Sequence, residues 1–214
     1  MGDGVMVEAS RNANSLRQSP LEGMSHRFLT SSDLDPVRME ELPFLTQIGL
    51  RGDAGRKSFG DAVMKATGCA LPVAACTVST AGDVSILWLG PDEWLVIAPE
   101  ARRSSLLDAV QSALAKQHAA VIDLSANRTV IALNGPAARQ VLEKACLHDL
   151  HPRAFPVGRV VGTVLARTQV FLEKTGEGPD SYRLHVRCSF ARHLADWLLD
   201  AMVEFSTEPG LAKG

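Results

Sequence analysis

Leu87-Trp88-Leu89-Gly90-Pro91-Asp92-Glu93-Trp94-Leu95-Val96-Ile97 is the stretch whose reading decides the fold. Two apolar runs of strand type flank a Gly-Pro-Asp turn, and a tryptophan stands on each side of it. Such a run predicts a β-hairpin. A further strand at about 75–80 reaches residues 83–89 through Ala81-Gly82, so that with residues 93–98 the chain makes a three-strand meander. After Pro99, the segment 100–117 carries Leu106, Leu107, Val110, Ala113 and Leu114 at helical spacing. This predicts an amphipathic helix covering the meander. Trp88 and Trp94 face one another on the paired strands, where aromatic pairs stabilise a sheet by roughly 0.2–1 kcal/mol. Their reading is core packing, with a partner surface as the alternative, because tryptophan is enriched at binding hot spots.

Working outward, residues 44–50 read as a strand, and Arg51-Gly52-Asp53 leads into a short helix through Phe59, Val63 and Met64 that Gly68 ends. Residues 120–124 and 129–133 are the next strands. Asn134-Gly135-Pro136 then opens a helix carrying Val141 and Leu142, with Pro136 just inside it, where its missing N–H costs nothing. Strands follow near 160–166, 168–173 and 182–187, and 190–205 is helical, with Leu194, Trp197, Leu198 and Met202 at core spacing. Strand, helix, three strands, helix thus occurs twice. The expected fold class is α+β, with two pseudo-equivalent halves whose sequences are not visibly alike.

A chain of 214 residues with 46% hydrophobic and 21% charged residues is long enough to bury a sizeable core. Lys+Arg of 22 against Asp+Glu of 24 leaves a formal charge of -2, with no block of like charge, which argues against nucleic acid or an anionic membrane as partner. Residues 1–42 are rich in Ser, Asn, Gly, Pro and Met without an apolar period and read as an N-terminal arm, disordered or ordered on a partner. The domain is expected over 43–206, with a flexible tail at 207–214. The first residues lack the apolar core of a secretory signal, and no apolar stretch approaches the roughly 20 residues of a membrane span. The expectation is a soluble, cytoplasmic chain. Cys69, Cys76, Cys146 and Cys188 form no CxxC pair, and Cys146 and Cys188, set in apolar runs, read as buried free thiols.

Several chemical readings are weighed and set aside. There is no GxGxxG and no GxxxxGK[ST]; Gly158-Arg159-Val160-Val161-Gly162 precedes a strand instead of opening a helix, so flavin or nicotinamide binding is not expected. No nucleophile elbow accompanies His185, which alternates within a strand as a core or interface imidazole. Cys146, His148, Asp149 and His151 suggest zinc ligands, yet no second cluster completes four. Pro152 and the preceding helix end make this segment a turn, with Asp149 and His151 bonding backbone groups. Arg51-Gly52-Asp53 spells an adhesion tripeptide and reads more simply as a glycine turn before a helix.

The ordered set of motifs carries a resemblance. Val121-Ile122-Asp123-Leu124-Ser125, followed by Val130-Ile131-Ala132-Leu133-Asn134-Gly135-Pro136-Ala137-Ala138, is similar to the Asp-x-Ser-His, strand, Gly-Pro-x-Ala, helix segment of the glycine-cleavage T-protein superfamily, with Ala126 where the histidine would stand. The closer resemblance is to the gamma-subunit family of heterotetrameric sarcosine oxidase. It rests on Leu50-Arg51-Gly52-Asp53, the Trp88 to Leu95 hairpin, Asp149-Leu150-His151-Pro152-Arg153-Ala154-Phe155-Pro156, and Tyr182-Arg183-Leu184 leading into Arg187-Cys188-Ser189-Phe190, across about 44–205.

This resemblance implies a T-protein folate-binding-like fold and an accessory, non-catalytic subunit. It implies alpha, beta and delta partners: an alpha subunit with NAD and a folate-binding domain, a beta subunit with FAD and a share of a covalent FMN site, and a small delta subunit with zinc. The complex so implied oxidises sarcosine to glycine, passes the one-carbon unit to tetrahydrofolate and makes hydrogen peroxide. No cofactor, catalytic or metal residue is expected on this chain. Trp88, Gly90, Pro91, Asp92, Trp94, Asp149, His151 and Arg153 are the candidate partner-interface or fold-signature residues. Folate-using relatives place an acidic pair after the Gly-Pro helix, whereas residues 162–171 here contain no Asp or Glu. The alternatives are a stand-alone folate-binding aminomethyltransferase-like protein and an accessory subunit of another flavin-dependent N-methyl amine oxidase.

Overall fold

The computed structural model describes residues 17–24, 27, 36–176 and 180–205. Among the described residues, ten strands form two antiparallel five-stranded sheets. The first sheet runs β3 (Val78–Ala81), β4 (Val84–Gly90), β5 (Glu93–Ala98), β2 (Thr46–Arg51), β6 (Ala120–Asp123). The second runs β8 (Arg159–Leu165), β9 (Thr168–Thr175), β10 (Ser181–Arg187), β7 (Arg128–Asn134), β1 (Arg38–Leu42). Helices α1 (Lys57–Thr67) and α2 (Arg103–Leu114) cover the first sheet; α3 (Ala138–Glu143) and α4 (Cys188–Met202) cover the second. The α+β fold of two equivalent halves expected from the sequence is what the structure has.

Each half has its own core between sheet and helices. Ile48, Leu50, Ile86, Trp94 and Val96 meet Phe59 and Val63 of α1 and Leu106, Val110 and Leu114 of α2. Ile131, Leu133, Leu172, Tyr182 and Leu184 meet Val141 and Leu142 of α3 and Leu194, Ala195 and Leu198 of α4. Because strand side chains alternate, the opposite sheet faces are left to pack on one another. They do so through Leu87, Leu95 and Ile97 of the first sheet against Val160 and Phe171 of the second. The order of layers is therefore helix, sheet, sheet, helix.

The two sheets exchange a strand, which the sequence reading did not anticipate. β6 precedes β7 in the chain yet pairs with β2, and β1 precedes β2 yet pairs with β7. Within the stretch 1–42 read as an arm, residues 38–42 are thus an edge strand, and Leu21, Met24, Val37 and Met39 are buried in the second core. Their apolar side chains are too few and too scattered to show a period. The rest of that stretch that lies at 1–16, 25, 26 and 28–35, and the tail at 207–214, fall outside the described residues.

Local signals behave as their chemistry requires. Gly68 takes φ 73 beyond α1 and its N–H reaches the Met64 carbonyl, closing the helix. Gly135 sits at φ 121, and a Cβ there would stand 2.5 Å from the Pro36 carbonyl oxygen, so glycine is what lets the β1 entry cross the start of α3. Of the cysteines, Cys69 is the buried one, while Cys146 and Cys188 are only partly covered. This corrects the buried reading of those two: Cys146 lies in the turn after α3 and Cys188 opens α4, where one side of the residue faces outward. Among the described residues no helix is long and apolar enough to cross a membrane.

Candidate functional site

The β4–β5 hairpin tip is built by register. Trp88 pairs with Trp94, and Gly90 with Glu93, leaving Leu89 in a bulge that turns the tip. Trp94 is fully buried, its ring centroid 5.6 Å from that of Phe59, and its indole N–H donates to the Pro72 carbonyl at 2.8 Å. Trp88 packs against the same core but stays partly exposed. Pro91 and Asp92 are exposed at the turn. Arg51 at the end of β2 clamps it, 2.7 Å from Glu93 and 3.6 Å from Asp92, while the Gly52 N–H donates to the Asp92 carbonyl.

Asp149, His151 and Arg153 lie in the other half, on an exposed turn between α3 and β8 anchored by buried Leu150 and Phe155. Asp149 Oδ1 accepts from the His151 N–H at 2.9 Å, and His151 Nδ1 from the Arg153 N–H at 3.3 Å. His148 stands edge-on to Phe155 at 5.2 Å. The Asp149 and His151 side chains thus bond backbone N–H groups of the turn, while Arg153 contributes its backbone N–H. No group of His, Cys, Asp and Glu among the described residues has the arrangement of a metal site. The two sets of candidate residues belong to different core clusters.

The Asp-x-Ser motif also has structural work. Asp123 Oδ2 accepts from Arg103 Nε at 2.9 Å and Nη2 at 2.7 Å, and its Oδ1 accepts from the Ser125 N–H at 2.9 Å. Burial pulls this carboxyl upward, but Ser125 and Arg103 outweigh it and hold the group below the ordinary aspartate range. Ser125 Oγ in turn accepts from the Gln47 N–H at 3.0 Å, tying β2 to the chain leaving β6.

Sequence reasoning missed one polar constellation. Glu173 and His185 are both buried between the sheets, with His185 Nε2 3.2 Å from Glu173 Oε2. Beside them a cavity of about 360 Å³ is lined by Arg128, Gly162, Val164, Phe171, His185 and Arg187, among others. Glu173 falls two residues beyond the carboxylate-free stretch 162–171, and the alternation of β9 and β10 was the signal that places it and His185 on one face.

Comparison with known proteins gives the family. A model of the sarcosine oxidase gamma subunit family matches residues 51–204. The chain is 49% identical over 211 residues to the sarcosine oxidase subunit gamma of Corynebacterium sp. (strain U-96), covering 96% of this chain and 98% of the relative. It is 42% identical over 212 residues to that of Corynebacterium sp. (strain P-1), covering 98% and 99%. Among solved structures, a chain of heterotetrameric sarcosine oxidase from Corynebacterium sp. U-96, in complex with pyrrole 2-carboxylate, superposes with a TM-score of 0.82 at 42% identity, over 91% of this chain and 99% of that one. Glycine cleavage system aminomethyltransferase T from Bartonella henselae aligns with a TM-score of 0.64 at 15% identity, over 86% of this chain and 57% of that one, which is a likeness of fold. The chain belongs to the sarcosine oxidase gamma subunit family.

Proposed function

We propose that this chain is the gamma subunit of a heterotetrameric sarcosine oxidase and serves it as an accessory, non-catalytic part in the cytoplasm, beside alpha, beta and delta subunits. The observation that carries this reading is the end-to-end match to a chain of such a complex, 99% of it at a TM-score of 0.82. FAD, FMN, NAD, zinc and tetrahydrofolate are then held by the other subunits. Oxidation of an N-methyl amine needs a flavin to take the hydride. The local chemistry of this chain does not suit a dinucleotide: Gly52 ahead of α1 is filled by the Phe59 ring and Gly135 ahead of α3 by the Pro36 backbone, and α2 and α4 are entered from Arg102 and Arg187 without a glycine loop.

The contribution left to the chain is packing against the larger subunits. The exposed Pro91-Asp92 tip beside half-covered Trp88, and the exposed Asp149-His151-Arg153 turn, are the surfaces assigned to that contact. A tagged pull-down from the producing cells, followed by mass spectrometry and a visible spectrum of the eluate, tests the reading. Two large chains and one small chain eluting with flavin absorbance are expected. A colourless eluate holding this chain alone would reject it.

A further inference from the structure

The cavity beside His185 is lined from β7, β8, β9 and β10 of the second sheet and carries two arginines with no carboxylate among its lining residues. Arg128 of β7 and Arg187 of β10 are direct cross-strand partners on the face that lines it. Arg187 is exposed and Arg128 half-buried, so water screens the pair in part, and like charges directly opposite one another still cost a sheet some stability that an anion would relieve. Among the described residues neither guanidinium forms an ion pair; Arg128 lies over the Phe171 ring at 5.2 Å, and the nearby Glu93 carboxylate is held by Arg51. Burial together with Arg187 lowers the Arg128 pKa, as expected for a cation short of a partner.

The remaining wall is suited to a ligand with two ends. His185, 1% exposed, engages Glu173 through Nε2, and its Nδ1 has no hydrogen-bond partner among the described residues. Opposite the cationic side, Gly162, Val164 and Phe171 present apolar surface. Gly162 lies directly against the Phe171 ring, where a Cβ would make van der Waals contact at 3.4 Å. The volume of about 360 Å³ falls in the range of small-molecule sites, roughly 300–1,000 Å³.

We propose that this cavity binds a small organic carboxylate, its carboxylate held by Arg128 and Arg187 and its apolar body against Phe171 and Val164. The pairing neutralises the facing arginines with charge-assisted hydrogen bonds, the stronger class of such bonds. The ligand class follows from the lining and is independent of the assembly proposed above.

Benzoate is the probe, with benzamide as its neutral isostere. Titration into the full chain, followed by amide shifts of Gly162, Phe171 and His185, is expected to give saturable binding for benzoate and none for benzamide. The double variant Arg128→Gln, Arg187→Gln is expected to weaken benzoate at least roughly 10-fold. Where the chain is obtained only within its complex, equilibrium dialysis with labelled benzoate is expected to count one site more per gamma chain in the wild type than in the double variant. Equal binding of benzoate and benzamide, or binding unchanged in the variant, overturns the proposal. Benzoate binding by the free chain that is lost in the complex overturns it too, in favour of an acidic side chain of another subunit filling the cavity.

Discussion

Trp94 and Tyr182 hold the same place in the two halves. Each is the second residue of the central strand of its sheet, each pairs with a leucine of the neighbouring strand (Leu50 of β2 and Leu133 of β7), and each is fully buried under that half's helices. Across the hairpin, Trp94 faces Trp88 while Tyr182 faces Lys174, whose ammonium lies 4.1 Å from the tyrosine ring centroid. One half sets two tryptophans opposite one another in register where the other sets a cation over a ring. The geometry repeats although the residues do not, which is why the duplication shows in the order of elements and not in the letters.

Trp94→Ala is expected to destabilise the chain by about 3–5 kcal/mol, since it empties the centre of the first core and strands the Pro72 carbonyl. Trp88→Ala, on the same face but partly exposed, is expected to cost about 1–2 kcal/mol. Chemical denaturation of both variants measures the difference. Equal losses would contradict the packing described.

Gly135→Ala tests the strand exchange. A methyl at this position meets the Pro36 carbonyl oxygen in a backbone conformation that alanine avoids, so a loss of about 2 kcal/mol or more is expected. Hydrogen exchange is predicted to accelerate in β1 before it does in β2. Unchanged protection of residues 38–42 would count against β1 as an integral edge strand.

Asp123 makes stability depend on acid. Its carboxyl is held below the ordinary value, about 3.9, so its contribution is complete above that pH and is lost as pH falls through the lowered folded-state value. Asp123→Asn is expected to lower stability by about 0.5–1 kcal/mol at pH 7, with the gap to wild type narrowing below about pH 4. Melting curves across pH 2–7, a range spanning about 3.9, show whether the gap closes in that direction.

Cys69 is expected to be the slowest of the four thiols to alkylate in the native chain. It is 1% exposed, and burial raises its pKa, so little thiolate forms near neutral pH. Peptide mapping after a short iodoacetamide pulse at pH 8 reads the order. Labelling of Cys69 ahead of Cys76 would contradict the burial.

Much of this was legible from local chemistry. The Trp88 to Trp94 hairpin, the helix face of Leu106, Val110 and Leu114 and the Gly68 stop each depend on neighbours in sequence, and the structure has them where the pattern puts them. The Asp149 turn was readable for the same reason. What escaped depends on partners far along the chain. β1 is recognisable only through its pairing with β7, more than 80 residues away, because its burial alternates around two glutamates, Glu40 and Glu41. Glu173, His185, Arg128 and Arg187 converge only once three strands are aligned. Each alone reads as an ordinary polar residue of a strand.

Native mass spectrometry of the oxidase subunits co-expressed with and without this chain tests the central claim most directly. With the chain present, the account predicts a flavin-containing assembly whose mass includes one copy of the 23.0 kDa chain, and a correspondingly lighter or dissociated assembly without it. An oxidase of the same mass in both cases, with this chain flying alone, would contradict its place as the gamma subunit.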